Sequence, residues 1–337
     1  MIATTFASPK TSRKPEGILV ISLDFELAWG VCDCLEGYEE NIYGVRKAIP
    51  AILDLFDEFD IHATWAVVGF LYFESKNEML KNLPLHKPDY VNKRLSTYDY
   101  ISSIGNDENS DPLHFGKSLI DQIIQHKNQE IASHTFSHYY CLEKNQNIET
   151  FKEDLIAAID VAKKHGNPVK SLVLPRNQVN TKYLQICQEL GITTYRGNEP
   201  YWFYSARESG QESALRRAFR LIDTYVPLTG KNTYSINVVD EKELVDIPSS
   251  RFLRPYSSKL KILQPLKLKR ITSGIQKAAK LRQLYHLWWH PHNFGINLNE
   301  NINFLRNILE YTSHMQNHYR LKSCSMGEAT ALLKEKM

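Results

Sequence analysis

His134 and His138 stand four residues apart in the run SHTFSH, directly after a short extended stretch that ends at Ser133. On a helical turn positions i and i+4 share a face, so both imidazoles could reach one cation. Paired histidines also occur as ordinary surface or core residues, and a metal site needs a third ligand. Asp24 and Glu26 supply candidates, because in SLDFE they are two residues apart and fall on one side if the chain stays extended. Taken alone, such a triplet is more often a solvated turn after a strand, and it is the histidine pair at another strand end that favours a site. Near the other end of the chain LWWHPHNFG delivers His290 to a strand end just before Pro291. An imidazole with an ordinary pKa of ~6.5 can act there as a general acid. His292 could share its face, and His290 is preferred because it sits nearest the strand end.

These groups need a frame that brings strand ends together. Gly17 to Asp24 (GILVISLD) is a continuous apolar run, as expected of a strand buried on both faces. Val45 to Phe59 carries apolar residues at helical spacing, and Ile61 to Gly69 returns to strand composition. The order repeats with a helix over Leu119 to His126, an extended Glu130 to Ser133, a helix over Ile148 to His165 and an extended Ser171 to Leu174. Another unit follows at Leu184 to Leu190 and Ile192 to Tyr195. Such alternation predicts a parallel sheet with crossover helices, either a barrel or a doubly wound sheet, and both build their sites at the C-terminal strand ends.

The 337 residues, 42% apolar and 23% charged, suffice for a large core without staples. Five scattered cysteines do not make a disulfide framework, and Cys32-Asp33-Cys34 lacks the C-x-x-C spacing, so free thiols in a reducing compartment are expected. The first sixteen residues hold no apolar run fit for a signal peptide, and no stretch approaches the ~18 apolar residues of a membrane span. A cytoplasmic protein is expected.

In this order the segments resemble the polysaccharide deacetylase family, also called NodB-homology or carbohydrate esterase family 4. Ser22 to Glu26 (SLDFE) is similar to the family's first motif, T-F-D-D-G. Ala63 to Gly69 (ATWAVVG) is similar to its A-T-F-F-x-x-G strand, and SHTFSH to its metal motif, S/T-H-T-x-x-H. Leu174-Pro175-Arg176 resembles a reduced F-R-P-P segment, and the run around His290 the last motif. The resemblance spans residues 17 to 295 and implies an α/β fold, a distorted (β/α) barrel of the NodB-homology type with insertions. Residues 1–16 then form a flexible tail and 17–337 a single catalytic domain, interrupted at 72–116 and 199–240.

The resemblance further implies a divalent metal, zinc first, with cobalt, nickel or iron as alternatives. Its ligands are His134, His138 and Glu26. Phe25 stands where the family has its second aspartate, so Glu26 takes the acidic place, with Asp24 as the other candidate. Asp24 is the implied base, oriented by Arg176, and His290 the implied acid. Trp29, Trp65, Pro175, Trp289 and His292, next to these motifs, are the expected substrate contacts. The implied reaction is hydrolysis of an N-acetyl amide on a sugar, in a surface-polysaccharide precursor carried on a nucleotide or lipid phosphate. Alternatives are an amidohydrolase acting on a formyl amide or cyclic ureide, and a non-catalytic carbohydrate-binding relative.

Residues 251 to 282 hold ten Lys or Arg and no Asp or Glu, hidden within a net charge of +3. A cationic amphipathic helix there could rest on anionic lipid, or present a solvated face on the barrel exterior. It lacks a nucleic-acid-binding motif, and no nucleic-acid partner is expected.

Overall fold

A computed structural model of the protein describes residues 16–237 and 239–334; the predicted tail falls almost wholly outside them. Ten strands form one sheet: β1 Gly17–Phe25, β2 Ala63–Val67, β3 Gln129–Ser133, β4 Ser171–Leu172, β5 Thr194–Tyr195, β6 Tyr234–Ser235, β7 Val245–Asp246, β8 Arg251–Phe252, β9 Gln283–Trp289 and β10 Leu321–Cys324. The path runs β6-β9-β1-β2-β3-β4-β5-β7, all parallel except β6 against β9.

The two ends of that path are joined by the chain itself. β7 pairs with β5, and five residues after β7 ends, β8 pairs with β9. Between them Ile247 N–H donates to Tyr195 O at 2.9 Å and Ser250 N–H to His286 O at 2.8 Å. One extended stretch thus closes the sheet into a distorted (β/α) barrel, and every parallel strand delivers its C-terminal end to the same rim.

All nine residues of β1 are buried, and their alternation assigns two cores. Leu19, Ile21, Leu23 and Phe25 face the helix layer, whereas Ile18 and Val20 point into the barrel with Ala66, Ala132, Val173 and Leu284. The inward face continues upward as Ser22 and Asp24, so the interior is apolar below and polar at the rim. β1 pairs with β10 over Gly17 to Val20 and with β2 over Ile21 to Phe25, so β10 fills the gap where β1 and β2 diverge. The helix Met326–Lys334 then lies against the barrel's lower interior through Met326 and Ala329.

The structure adjusts several predicted elements. The first helix begins at Glu39, six residues early, with Glu39 and Glu40 in its first turn, where acids suit the positive helix end. β4 and β5 are two residues each rather than four. The interruption at 72–116 holds the short helices Lys76–Lys81 and Thr97–Tyr100, and 199–240 holds the helix Ala214–Asp223. All five cysteines are free. Among the described residues no helix is long and apolar enough to cross a membrane.

The helix Glu39–Glu58 and the turn after His290 touch backbone to backbone. A Cβ on Gly44 would fall 2.0 Å from the Gly295 carbonyl oxygen, and one on Gly295 would fall 1.9 Å from that of Asn41. Alanine in a helix interior ordinarily adds up to about 1 kcal/mol over glycine. Gly44→Ala is instead expected to cost about 1–3 kcal/mol through overpacking, measured by urea unfolding. A gain in stability would contradict this packing.

Candidate metal centre and cleft

β3 hands the chain to His134, but no helix follows. The predicted helical turn is replaced by a loop in which Thr135 (φ 63°) and His138 (φ 60°) adopt left-handed backbone conformations. Asp154, on the helix Ile148–Lys164, holds this loop by accepting from Phe136 N–H at 2.8 Å, Ser137 N–H at 3.2 Å and the Ser137 hydroxyl. Burial still pushes the Asp154 carboxyl up to about 6. Tyr139 N–H donates to Thr135 Oγ1 at 2.7 Å, closing the turn. The two histidines are therefore brought together by a carboxylate-centred loop rather than by helical spacing.

Glu26, the residue after β1, meets them. Its Oε2 lies 2.9 Å from His138 Nε2 and 3.2 Å from His134 Nε2. His134 Nδ1 donates to Val173 O at 2.8 Å, which fixes the tautomer and leaves the Nε2 lone pair facing inward. Burial, opposed by Glu26, brings His138 down to about 4, so it is neutral at pH 7. Burial would raise the Glu26 carboxyl, but His290 and His138 hold it well below the usual range. His134 Nε2 is buried with no hydrogen-bond partner, a bare lone pair opposite a carboxylate oxygen. Two facing acceptors in a buried site are what a cation resolves. Gly30 leaves the room for this: a Cβ there would sit 2.0 Å from the Glu26 carboxyl carbon. Among the described residues these three form the one group whose ligand atoms all lie within 4.8 Å. Two imidazoles and a carboxylate fit a divalent metal.

Asp24 makes a bidentate pair, but not with Arg176. Arg196 Nη1 and Nη2 each lie 2.7 Å from its two oxygens, and both side chains are buried. Burial alone would raise the Asp24 carboxyl; Arg196, then His134 and His290, hold it below its ordinary value. Arg196 also donates to Ser22 Oγ at 3.0 Å and Asn177 Oδ1 at 2.9 Å, and lies 4.2 Å over the Trp288 ring. Arg176 follows β4 in a turn with φ 51°, covers the Tyr140 ring and pairs with Asp33 at 2.7 Å on the rim. Arg196, the first residue after β5, thus takes the place expected of Arg176. A charged residue at a strand end, in TTYRG, was its signal in the sequence.

His290 stands between both acids, with Nε2 3.6 Å from Glu26 Oε1 and 3.8 Å from Asp24 Oδ2. The ring of His292 stacks on it at 4.9 Å and is buried, which pushes its own imidazole down to about 3. The cleft these groups line holds about 350 Å³ and includes Tyr38, Trp288 and His292. Of the expected substrate contacts, Trp29, Trp65 and Trp289 lie outside it, fully buried in the core between barrel and helices. Trp289 sits on the outward face of β9 against Phe294, and Trp288, one residue earlier, shares the inward face with His290. Pro175 is buried beneath the Arg176 turn and does not line the cleft.

The basic stretch divides. Arg251 and Arg270 pair internally with buried Asp223, and Lys267 donates to Arg254 O at 2.9 Å. Lys259, Lys261, Lys269, Lys280 and Arg282 are exposed.

The cleft lies at the C-terminal rim of a parallel barrel, where such scaffolds build their sites. Residues 37–195, just under half of the chain, match the family model described as polysaccharide deacetylase. The match takes in the histidine pair and stops short of Asp24, Glu26, Arg196 and His290, which geometry alone brings together. No curated protein sequence matches the chain. Among solved structures, a protein from Mycobacterium smegmatis described as a polysaccharide deacetylase is similar over 98% of this chain and 94% of its own, at 14% identity and TM-score 0.61. One so described from Pseudomonas aeruginosa PAO1 is 11% identical, with TM-score 0.52 over 93% and 89% of the two chains. Puue allantoinase is 12% identical, with TM-score 0.52 over 97% of each chain. These likenesses show a shared fold.

Arg196→Ala is expected to cost about 3–5 kcal/mol, as for one member of a buried pair. Arg176→Ala should cost under about 1 kcal/mol, its partner being part-exposed. Because the folded Asp24 carboxyl lies below its unfolded value of about 4, the pair's contribution is present above that pH and is lost below it. Urea unfolding at pH 7 and pH 3 checks both points: the gap between wild type and Arg196→Ala should narrow in acid.

Proposed function

We propose that the chain is a metal-dependent deacetylase that hydrolyses the N-acetyl amide of a sugar in a surface-polysaccharide precursor, in the cytoplasm. The convergence of Glu26, His134 and His138 around an unpartnered, buried Nε2, with Asp24 and His290 alongside, carries this reading. The two proteins described as polysaccharide deacetylases support an acyl-sugar substrate. A divalent cation held by the three ligands, zinc first among zinc, cobalt, nickel and iron, would polarise the acyl carbonyl and lower the pKa of a water to ~7 in the case of zinc.

Asp24, kept ionised by Arg196, accepts the proton of the attacking water. His290 gives a proton to the departing amine nitrogen from its place between the two carboxylates. Trp288, with its ring 5.7 Å from that of His290, offers a flat apolar face to the sugar. The cleft has room for one sugar residue.

Glu26→Ala, His134→Ala and His138→Ala are each expected to lose bound metal by elemental analysis. His290→Ala should keep it while turnover on an N-acetylated sugar falls about 10²–10⁴-fold. Chelation should abolish turnover and added zinc restore it. Metal loss from His290→Ala would overturn the role given to that residue.

A further inference from the structure

A second cavity of about 570 Å³ adjoins the cleft and shares Arg176, Asn177, Phe252, Trp288 and His290 with it. Six arginines line it. Three are neutralised: Arg176 by Asp33, Arg220 by Glu212 at 2.6 Å and Arg251 by Asp223 at 2.6 Å. Arg207, Arg217 and Arg254 have no carboxylate within 4.0 Å among the described residues. The remaining acids of the lining do not answer them. Glu199 accepts from the Ser249 hydroxyl, with its carboxyl raised by burial, and Glu208 lies 3.9 Å from Lys144.

Arg254 is the most telling of the three. It is part-buried, and its one side-chain hydrogen bond runs from Nε to Thr224 Oγ1 at 3.3 Å. Burial works most against its charge; Tyr225 and Tyr204 favour it, and the neighbouring Arg220 opposes it. A part-buried guanidinium among like charges is a poor arrangement unless an anion completes it. The wall is nonetheless firmly built. Asp223 ends the helix that carries Arg217 and Arg220, and it ties that helix to Arg251, Arg270, Thr229 and the Tyr204 hydroxyl. Phe252 stands between the two centres, its ring 6.0 Å from that of His290 and 5.9 Å from the Arg254 guanidinium. That separation is on the scale of one sugar and its phosphates.

We propose that this arginine-lined cavity binds the diphosphate of an activated sugar, seating the phosphates at Arg254, Arg217 and Arg207 while the acetamido group lies at His290. The sugar's placement rests on the deacetylase reading; the anion site rests on the arginines alone. A nucleotide and a polyprenyl carrier both present this diphosphate.

Titration calorimetry of the metal-loaded protein with inorganic pyrophosphate, uridine diphosphate and farnesyl diphosphate tests the proposal. Pyrophosphate should bind more weakly as salt rises, and about ten-fold or more weakly to Arg254→Gln and to the exposed double variant R207E/R217E. Lys259→Ala and Lys261→Ala, on the outer surface, should bind as wild type does. Tighter binding of uridine diphosphate than of pyrophosphate supports the site with a nucleotide carrier, and tighter farnesyl diphosphate supports it with a lipid one. No binding at low salt, or equal binding to wild type and both arginine variants, overturns it. A protein that binds pyrophosphate through these arginines yet releases no acetate from N-acetylated sugars loses the deacetylase reading and keeps the anion site. Acetate release without pyrophosphate binding does the reverse.

Discussion

Asp24 and Arg196 face each other across the barrel interior, joined twice at 2.7 Å and almost wholly removed from water. In such surroundings neither charge is tolerable without the other, so the pair ties the end of β1 to the end of β5. Below it the polarity is arranged in one direction: Arg196 donates to Ser22, Ser22 to His286 Nε2, and His286 Nδ1 to the carbonyl of Ile247. Burial holds His286 down at about 3, so this layer adds no second cation beside Arg196. Two residues beyond Asp24, Glu26 inherits a fixed position from the same strand end. The metal-ligand set and the ionised base therefore share one anchor.

How much of this was legible depended on the length of each element. β1 and β9 are long enough to show as unbroken apolar runs with polar residues at their ends, so Asp24, Glu26 and His290 could be placed at a rim. The face each side chain takes is set by register, and a shift of one residue carries it across the sheet, which is why Trp288 and not Trp289 reaches the cleft. β4 and β5 span two residues each, too few for any periodicity. Nothing local then distinguishes Arg176 from Arg196; the left-handed turn at Arg176 and Asn177 directs one to the rim and leaves the interior to the other.

Two acids show how a buried charge organises backbone around it. Asp154 occupies the apolar face of its helix, among Phe151, Leu155 and Ala158, and an acid at that spacing is a mark of internal work that sequence carries openly. Asp223 does the same for the arginine wall. Its partners Arg251 and Arg270 belong to a stretch whose excess charge looks like a surface property until the tertiary structure is known. Net charge along a chain does not separate cations that face solvent from those consumed within the fold.

The placement of β1 also has a consequence for how the molecule is made. The earliest strand among the described residues, it pairs with β9 and β10, which arrive about 260 to 300 positions later. Its nine buried residues have no lasting partner on that side until those strands have emerged. Contacts of such sequence separation are slow to form, and an apolar edge that must wait is open to association with other chains. The topology that gathers the strand ends at one rim thus makes the newborn strand dependent on segments made far downstream of it.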